Sequence, residues 1–282
     1  MKIGSEEHKE LFCRSFVASH DPYEPERLPW PELDEAALAR IRGVPFWDEV
    51  YYAERRAGAL IAAYAPSIDD PMVREAVDLQ GFEEARHARL IGHLIERYGL
   101  EAREQEIAKF PQDIETAFID FGYGECVDAF FGFGAYQFAR RSGFLPESMF
   151  SVLDILMLEE TRHIVFFVNW MAWREVRRGM GAAALRGLTS AWFHGRAVGR
   201  HLKTIRKGKP GGRQNFSATQ ADVFKEGFSV RGLMSECLRE NDRRMKVFDP
   251  RLLRPRLMPG LTTVALVLLK LWPAGQAKPK PA

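Results

Sequence analysis

The stretches DLQGFEEARHARLIGHLIERYG (residues 78–99) and LDILMLEETRHIVFFVNWMAWR (residues 153–174) decide the fold. Each contains the pattern Glu-Glu-x-Arg-His, at residues 83–87 and 159–163. In a helix, the second glutamate and the histidine of each copy lie one turn apart on the same face. A single Glu-x-x-His is typical of a solvated acid beside a histidine, but two complete copies indicate a shared chemical role.

The residues around both copies repeat with a helical period, and Asp70-Pro71 and Gly99 are typical helix start and stop signals. Long helices are therefore predicted over residues 46–64, 70–98, 111–141 and 146–178. Further helices are predicted over residues 34–41, 182–207 and 219–247. Because no alternating Val/Ile/Thr-rich run bounded by turns stands out, the predicted fold class is all-α.

Composition divides the chain into parts. Four prolines between residues 18 and 32 fix φ and remove backbone donors, which favours an extended arm on the surface. The predicted parts are an extended N-terminal arm with a short helix (1–45), a four-helix bundle (46–178), a helical extension packed on it (179–273) and a disordered tail (274–282).

Charge and cysteine content exclude several classes of protein. Lys and Arg number 40 and Asp and Glu number 38, so the net charge of +2 does not indicate nucleic-acid binding. Cys13, Cys126 and Cys237 are too few and too scattered for a disulfide framework or a zinc site, which favours a cytoplasmic protein. The polar N-terminus lacks the apolar segment of a signal peptide.

The longest apolar stretch is LTTVALVLLKL, residues 261–271. It would span about half a bilayer and contains Lys270, so a transmembrane helix is not expected. The stretch is predicted to pack on the core. Weak contact with a membrane surface and a homodimer interface are the alternatives.

Each Glu-x-x-His has a further glutamate at a suitable distance on the preceding helix. Glu54 lies thirty residues before Glu84, and Glu125 lies thirty-five residues before Glu160. In an antiparallel helix pair a separation near thirty residues returns the chain to the same level, since each residue climbs about 1.5 Å. Glu49 is the rival of Glu54, with a longer spacing and more polar neighbours.

These acids interrupt apolar stripes of helical period, as Glu125 does between Phe118 and Phe133. An ionised carboxylate in such a stripe is costly unless it is paired. The carboxylates would offset the charge of two divalent cations, and two neutral imidazoles would complete the ligand set. A buried network of Glu, Arg and His ion pairs is the alternative.

This arrangement resembles the ferritin-like di-iron carboxylate proteins over residues 46–178: one Glu from each of two helices and Glu-x-x-His from each of two others. The resemblance implies a ferritin-like bundle that holds two iron ions, with manganese or a mixed Mn/Fe pair as competitors. The implied ligands are two bridging glutamates, two terminal glutamates and two histidines: Glu84 and Glu160, Glu54 and Glu125, and His87 and His163.

Other residues beside these ligands are predicted to support them. Glu83 and Glu159 can accept the far N–H of a ligand histidine, on their own helix or on the facing one. Arg86 and Arg162 can balance the charge of these two carboxylates, with an ordinary surface Glu/Arg pair as the alternative. The remaining candidates for a supporting role are Asp128 and Tyr51. The simpler interpretation of Tyr51 is that it is an ordinary core residue.

The Glu-Glu-x-Arg-His form is similar to that of the acyl-carrier-protein desaturases and the bacterial multicomponent monooxygenases. This implies an oxidase or oxygenase that uses O2 for hydroxylation, desaturation or N-oxygenation of a small organic substrate. The arylamine N-oxygenases of this superfamily have a third histidine where this chain has Leu156. Non-enzymatic iron storage or metal homeostasis is the alternative function, and a scaffold that only binds partners is another.

Two further expectations concern what the metal centre needs. No flavin, nicotinamide or iron–sulfur motif is present, so an external electron donor, delivered by an unidentified reductase, is expected. Gly122 and Gly132 lie on the helix face of Glu125. They are interpreted either as space for O2 and substrate or as points of close helix packing.

Residues 176–221 contain no Asp or Glu. Such a basic field favours an anionic partner: an acidic carrier protein bearing the substrate, a carboxylated or phosphorylated substrate, or a membrane surface. A solvated helix face is the alternative. The residues predicted to bind this partner are Arg196, Arg200, Lys203, Arg206 and Lys207.

Overall fold

The computed structural model describes residues 1–103, 105–206 and 229–271, except for the side chains of 200–206 and 271. The regular elements of these residues are all helical, so the predicted all-α class is confirmed. The α-helices are α1 (Glu6–Ala18), α2 (Glu35–Arg42), α3 (Trp47–Tyr64), α4 (Pro71–Tyr98), α5 (Ile114–Arg141), α6 (Glu147–Arg177), α7 (Ala183–Arg206), α8 (Val230–Met245) and α9 (Leu257–Leu271). None of these described helices has both the length and the apolarity that crossing a membrane requires.

The ends of the long helices follow the sequence signals. Asp70 caps α4 by accepting two backbone N–H groups of the first turn, where Pro71 stands. Gly99 ends α4 with φ of +59°, a left-handed conformation that glycine adopts without strain. Helix α5 begins after Asp113, later than predicted, because this side chain caps its first turn.

The helices α3 to α6 contact one another in four pairs: α3 with α4, α5 with α6, α3 with α5, and α4 with α6. Each of the four thus has two neighbours in the set and shares one interior with them. The ferritin-like four-helix bundle stays a prediction, to which these contacts offer no contradiction.

Small residues let α3 approach α4 closely. A Cβ on Gly58 would meet the backbone of Ala85 at 3.0 Å, and one on Gly81 would meet the Ile61 side chain at 3.1 Å. A larger side chain at either position would push the two helices apart. The close approach brings the middle of α3, where Glu54 stands, against the first Glu-Glu-x-Arg-His motif.

Two apolar clusters fill the interior on either side of the paired motifs. On α4, the buried apolar residues between 73 and 77 belong to the first cluster and those between 90 and 94 to the second. On α6, the buried apolar residues between 149 and 156 belong to the second cluster and those between 164 and 173 to the first. On both helices the polar motif lies between the two, so the charged groups occupy the middle of an apolar interior.

The prediction of an extended arm with one short helix over residues 1–45 omitted α1, which residues 6–18 form, whereas α2 corresponds to the short helix predicted at 34–41. Ser5 caps this helix, and its face with Phe12 and Phe16 is buried against the first apolar cluster. His8 contacts Asn169 of α6 at 3.0 Å, and Lys9 pairs with Asp70 at 2.6 Å. A short polar helix of this kind is stabilised by tertiary packing rather than by its own periodicity.

The helices α7, α8 and α9 pack against α5. Helix α8 begins at Val230, and the predicted helical residues 219–228 lie outside the described part of the chain, as does the predicted tail 274–282. Helix α9 covers the apolar stretch 261–271, of which Thr262 faces inward and most other members are exposed. The prediction that this stretch packs on the core therefore holds for one face of α9 only.

Candidate metal centre

Four of the predicted ligands form one buried cluster between α4 and α6. Glu84, His87, Glu160 and His163 each offer a ligand atom, and these atoms all lie within 4.8 Å of one another. All four side chains are buried. The helical i, i+3 spacing places the two members of each motif on one face, and the packing of α4 on α6 turns the two faces toward each other.

The two imidazoles present the same atom to the carboxylates. His87 Nδ1 lies 3.1 Å from Glu160, 3.5 Å from Glu54 and 3.7 Å from Glu84. His163 Nδ1 lies 3.0 Å from Glu84 and 4.0 Å from Glu160. Both Nδ1 atoms therefore face carboxylates from both motif helices, and Glu54 of α3 joins the cluster at His87, which favours Glu54 over its rival Glu49.

Glu125 of α5 belongs to the same electrostatic field. Burial first, and then the charges of Glu160 and Glu84, raise the pKa of Glu125 well above its usual range. Asp128, one turn further along α5, acts in the same direction on this pKa. The structure thus brings five of the predicted ligands into contact, and the charges of two of them act on Glu125; the role of all six as metal ligands stays a prediction.

The carboxylates of the cluster resist ionisation unequally. Burial raises the pKa of Glu54 to about 8, although contact with His87 lowers it. Burial also opposes ionisation of Glu84, but the charge of His163 and the contact with His87 hold the pKa of this carboxyl below its usual range. A cation among these oxygens would favour the ionised form of every one of them.

The histidines are shifted the other way. Burial alone would lower the pKa of His163, but the charge of Glu84 and the hydrogen bond to Glu83 raise it to about 10. The pKa of His87 is likewise raised well above its usual range, because contacts with Glu159 and the other carboxylates outweigh burial. The protein's own charges therefore favour protons at the positions where a divalent cation would bind.

The outer nitrogens of the two histidines bind carboxylates of the facing helix. His87 Nε2 of α4 lies 2.9 Å from Glu159 of α6, and His163 Nε2 of α6 lies 2.9 Å from Glu83 of α4. An ionised carboxylate can only accept, so both Nε2 atoms donate. This fixes the tautomer of each neutral imidazole and leaves the Nδ1 lone pair directed at the cluster.

Two buried arginines complete the exchange between the helices. Arg162 of α6 donates to Glu83 of α4 at 2.9 Å, and Arg86 of α4 donates to Glu159 of α6. Hydrogen bonds from His163 and the charge of Arg162 overcome burial and lower the pKa of Glu83 to about 2. The predicted supporting residues thus act across the helix pair rather than within one helix.

The N-terminal arm contributes to the site in a way that the sequence did not predict. His20 Nδ1 lies 2.6 Å from Glu83, and the Tyr23 hydroxyl donates to Glu159 at 3.2 Å. The Arg86 guanidinium lies 3.8 Å from the centroid of the Tyr23 ring. The only signal in the sequence was the extended, proline-rich character of residues 18–32, which does not say where an arm docks.

Among the described residues, His20, Glu83 and Glu159 form a second group with metal-ligand spacing. The oxygens of its two carboxylates already accept hydrogen bonds from arginine, histidine and tyrosine. By contrast, the Nδ1 atoms of His87 and His163 and one oxygen of Glu84 make no hydrogen bond in the described part of the chain, although carboxylate oxygens lie 3.0 to 4.0 Å from the two nitrogens. Buried polar atoms without partners are costly, so the first group fits a metal and the second does not.

Gly122 and Tyr51 both lie against neighbouring groups, and the interpretation of Gly132 stays a prediction. A Cβ on Gly122 would lie 2.2 Å from the Phe167 ring, so this glycine admits an aromatic side chain and not a cavity. The Tyr51 ring packs against Gly92 of α4, with Arg55 stacked over it. Both observations favour the simpler of the two interpretations made from the sequence.

The predicted basic face is only partly described. Arg196 pairs with Asp120 of α5 at 2.7 Å, so its charge is offset by an acid that the local sequence does not contain. Arg178 pairs with Glu115 of α5 in the same way. The other predicted partner-binding residues lie outside the described residues or side chains: Arg200, Lys203, Arg206 and Lys207.

Comparison of the chain with protein-family models, with curated proteins and with solved structures finds no match. The buried Glu/His cluster and its surroundings therefore carry the functional interpretation.

Proposed function

We propose that this protein is a non-haem di-iron oxidase or oxygenase that uses O2 to oxidise a small organic substrate. The observation that carries the proposal is the convergence of two unpartnered imidazole nitrogens and several carboxylates in a closed apolar interior. A metal ion is the partner that such a set of lone pairs accepts best.

The chemistry of the donor set favours a pair of ions over a buried ion network. A network of ion pairs would satisfy each donor and acceptor, as it does at Glu83 and Glu159. The inner cluster instead holds Glu54 and Glu125 with raised pKa values next to histidines with raised pKa values. Two divalent cations would allow the glutamates to ionise and the histidines to become neutral.

Six N and O donors, mostly carboxylate, suit iron, with manganese as a competitor. A bound iron pair supplies the electrons and the Lewis acidity that the activation of O2 requires. The ligands would be the six predicted residues, from α3, α4, α5 and α6.

The chain's own residues would prepare the site in two ways. Glu83 and Glu159 accept the Nε2–H groups of His163 and His87, which keeps both Nδ1 lone pairs directed inward. The apolar clusters on both sides of the motifs exclude water, so electrostatic interactions within the site are strong.

The test is metal loading of the full chain, followed by O2 uptake. We expect two irons per chain after anaerobic Fe(II) loading and gel filtration, and O2 consumption that depends on an added reductant and rises with an accepted substrate. Glu84→Gln should lose most of the iron. The matched control is Glu115→Gln, because Glu115 pairs with Arg174 and Arg178 at the other end of the helices.

Each outcome separates the alternatives. Uptake of many irons per chain, with O2 consumed only during loading, would favour iron storage over catalysis. Full iron content in Glu84→Gln would contradict the metal centre itself.

A further inference from the structure

Helix α9 carries an exposed apolar stripe. Leu261, Val264 and Leu268 have exposed fractions of 51%, 57% and 60%, at helical spacings of three and four residues. Val267 beside them is also exposed, while Met258 is buried against α5 and α8. A solvent-facing stripe of large aliphatic residues on an otherwise packed helix marks an interaction surface.

The stretch of sequence that contains this stripe carries charges of one sign. After Asp249 the chain contains no Asp or Glu up to its last residue, whereas it contains six Lys or Arg. Exposed Arg256 directly precedes α9, and exposed Lys270 stands in its last turn. Arg231 of α8, also exposed, donates to the carbonyl of Leu269 at 2.8 Å. It therefore stands beside Lys270 at the C-terminal end of α9.

A second copy of the chain does not suit this surface. A symmetric contact through the stripe would place two acid-free, basic helices side by side, and neither helix has an acidic residue to pair with the other's cations. A negatively charged surface with an apolar layer beneath it satisfies both features. The surface of an anionic phospholipid bilayer has this composition.

We propose that α9 docks the protein on anionic phospholipid membranes, lying in the plane of the interface. Its apolar stripe enters the boundary between head groups and acyl chains, and the cations at its ends contact lipid phosphates. A helix of 15 residues with this pattern lies on a bilayer rather than crossing it. The proposal is independent of the metal centre.

The test is co-sedimentation of the full-length protein with vesicles. We expect binding to mixed phosphatidylcholine–phosphatidylglycerol vesicles, weaker binding to pure phosphatidylcholine, and a decrease with added salt. Leu261→Ser/Leu268→Ser should bind the mixed vesicles about tenfold more weakly, because two large aliphatic side chains leave the interface. The matched control is Val247→Ser, which removes a side chain that is 74% exposed outside α9.

Each result either supports or overturns the proposal. Unchanged binding of the double variant, or equal loss in the Val247 control, would overturn it. So would binding that ignores lipid charge and salt. A protein that binds no vesicle but forms a dimer, with the dimer dissociated by the double variant in light scattering, would assign the stripe to self-association. Unfolding temperatures of all variants should match, since the substituted residues are exposed.

Discussion

Two regions depart from the usual rule that polar groups face solvent and apolar groups are buried. They are the interior around α4 and α6 and the surface of α9, and they depart from it in opposite ways. Around α4 and α6, charged groups are buried in an apolar interior. On α9, large aliphatic groups face solvent. Both arrangements cost free energy, so each indicates a partner that the described residues of the chain do not supply.

The two regions also differ in how the chain supports them. The buried cluster is surrounded by reciprocal contacts. The histidine and the arginine of each Glu-Glu-x-Arg-His motif bind a glutamate of the other motif. The stripe on α9 has no comparable support among the described residues, where its outward side chains are largely exposed. We therefore expect substitutions in the first region to change metal content and stability, and substitutions in the second to change neither.

The largest effect is expected from Glu160→Ala. It removes a proposed bridging ligand and leaves the remaining charges of the cluster unbalanced. The variant should lose one or both metals, and the loaded protein should lose the stabilisation that metal binding adds to the folded state. Elemental analysis and thermal unfolding before and after loading measure both. Unchanged metal content would refute the assignment of Glu160.

Glu83→Gln should have the next largest effect. It removes the nearer of the two carboxylates beside buried Arg162, leaving Glu159 at 3.8 Å, and weakens the hydrogen bond that orients His163. Breaking a buried pair from one side costs about 3–5 kcal/mol, and metal affinity should fall about 10–100-fold. Urea unfolding and metal titration are the measurements. Stability and affinity equal to those of the unsubstituted protein would show that the exchange between α4 and α6 has no structural role.

Metal affinity should rise with pH. His163, with a pKa of about 10, and Glu54, with a pKa of about 8, bind protons near neutrality that a metal must displace. Affinity should therefore increase by about tenfold per pH unit for each proton released. Calorimetric titration in buffers of different ionisation enthalpy counts these protons, and a count of zero would contradict the prediction.

The same pKa shift gives the metal-free protein its own pH dependence. A raised histidine pKa stabilises the folded state fully below about pH 6.5, the unfolded value, and this contribution is lost as the pH rises toward 10. The unfolding temperature of the metal-free protein should fall over this window more than that of the loaded protein.

Tyr23→Phe tests the docking of the N-terminal arm with a smaller effect. It removes the hydroxyl that donates to Glu159 but keeps the ring under Arg86. The free energy of unfolding should fall by about 1 kcal/mol, with metal content unchanged. A loss of metal would instead show that the arm, and not only Glu159, orients His87.

The smallest effect is expected from Val264→Ser on α9. The free energy of unfolding should stay within about 0.5 kcal/mol of that of the unsubstituted protein. The metal content should be unchanged within measurement error. Strong destabilisation would mean that the stripe packs on the rest of the chain and would remove the contrast between the two regions.

Most of the helices, though not α1 or α9, and the inner residues of the candidate site could be predicted from the sequence. Local signals such as Asp70, Pro71 and Gly99 act within one turn, so they locate helix ends directly. The i, i+3 spacing of each motif fixes a face, and the intervals between Glu54 and Glu84 and between Glu125 and Glu160 fix a level along the bundle.

Which side chains meet across helices could not be predicted from the sequence and is known only from the tertiary structure. These contacts join residues that lie 45 to 136 positions apart in the sequence. Glu83 binds His163, His20 and Tyr23 reach the site, Phe167 fills the space beside Gly122, and Asp120 offsets the charge of Arg196. The helical period predicts which face of a helix a residue occupies, but it does not predict which other element packs against that face. That choice depends on how the whole chain fills its interior at close-packed density.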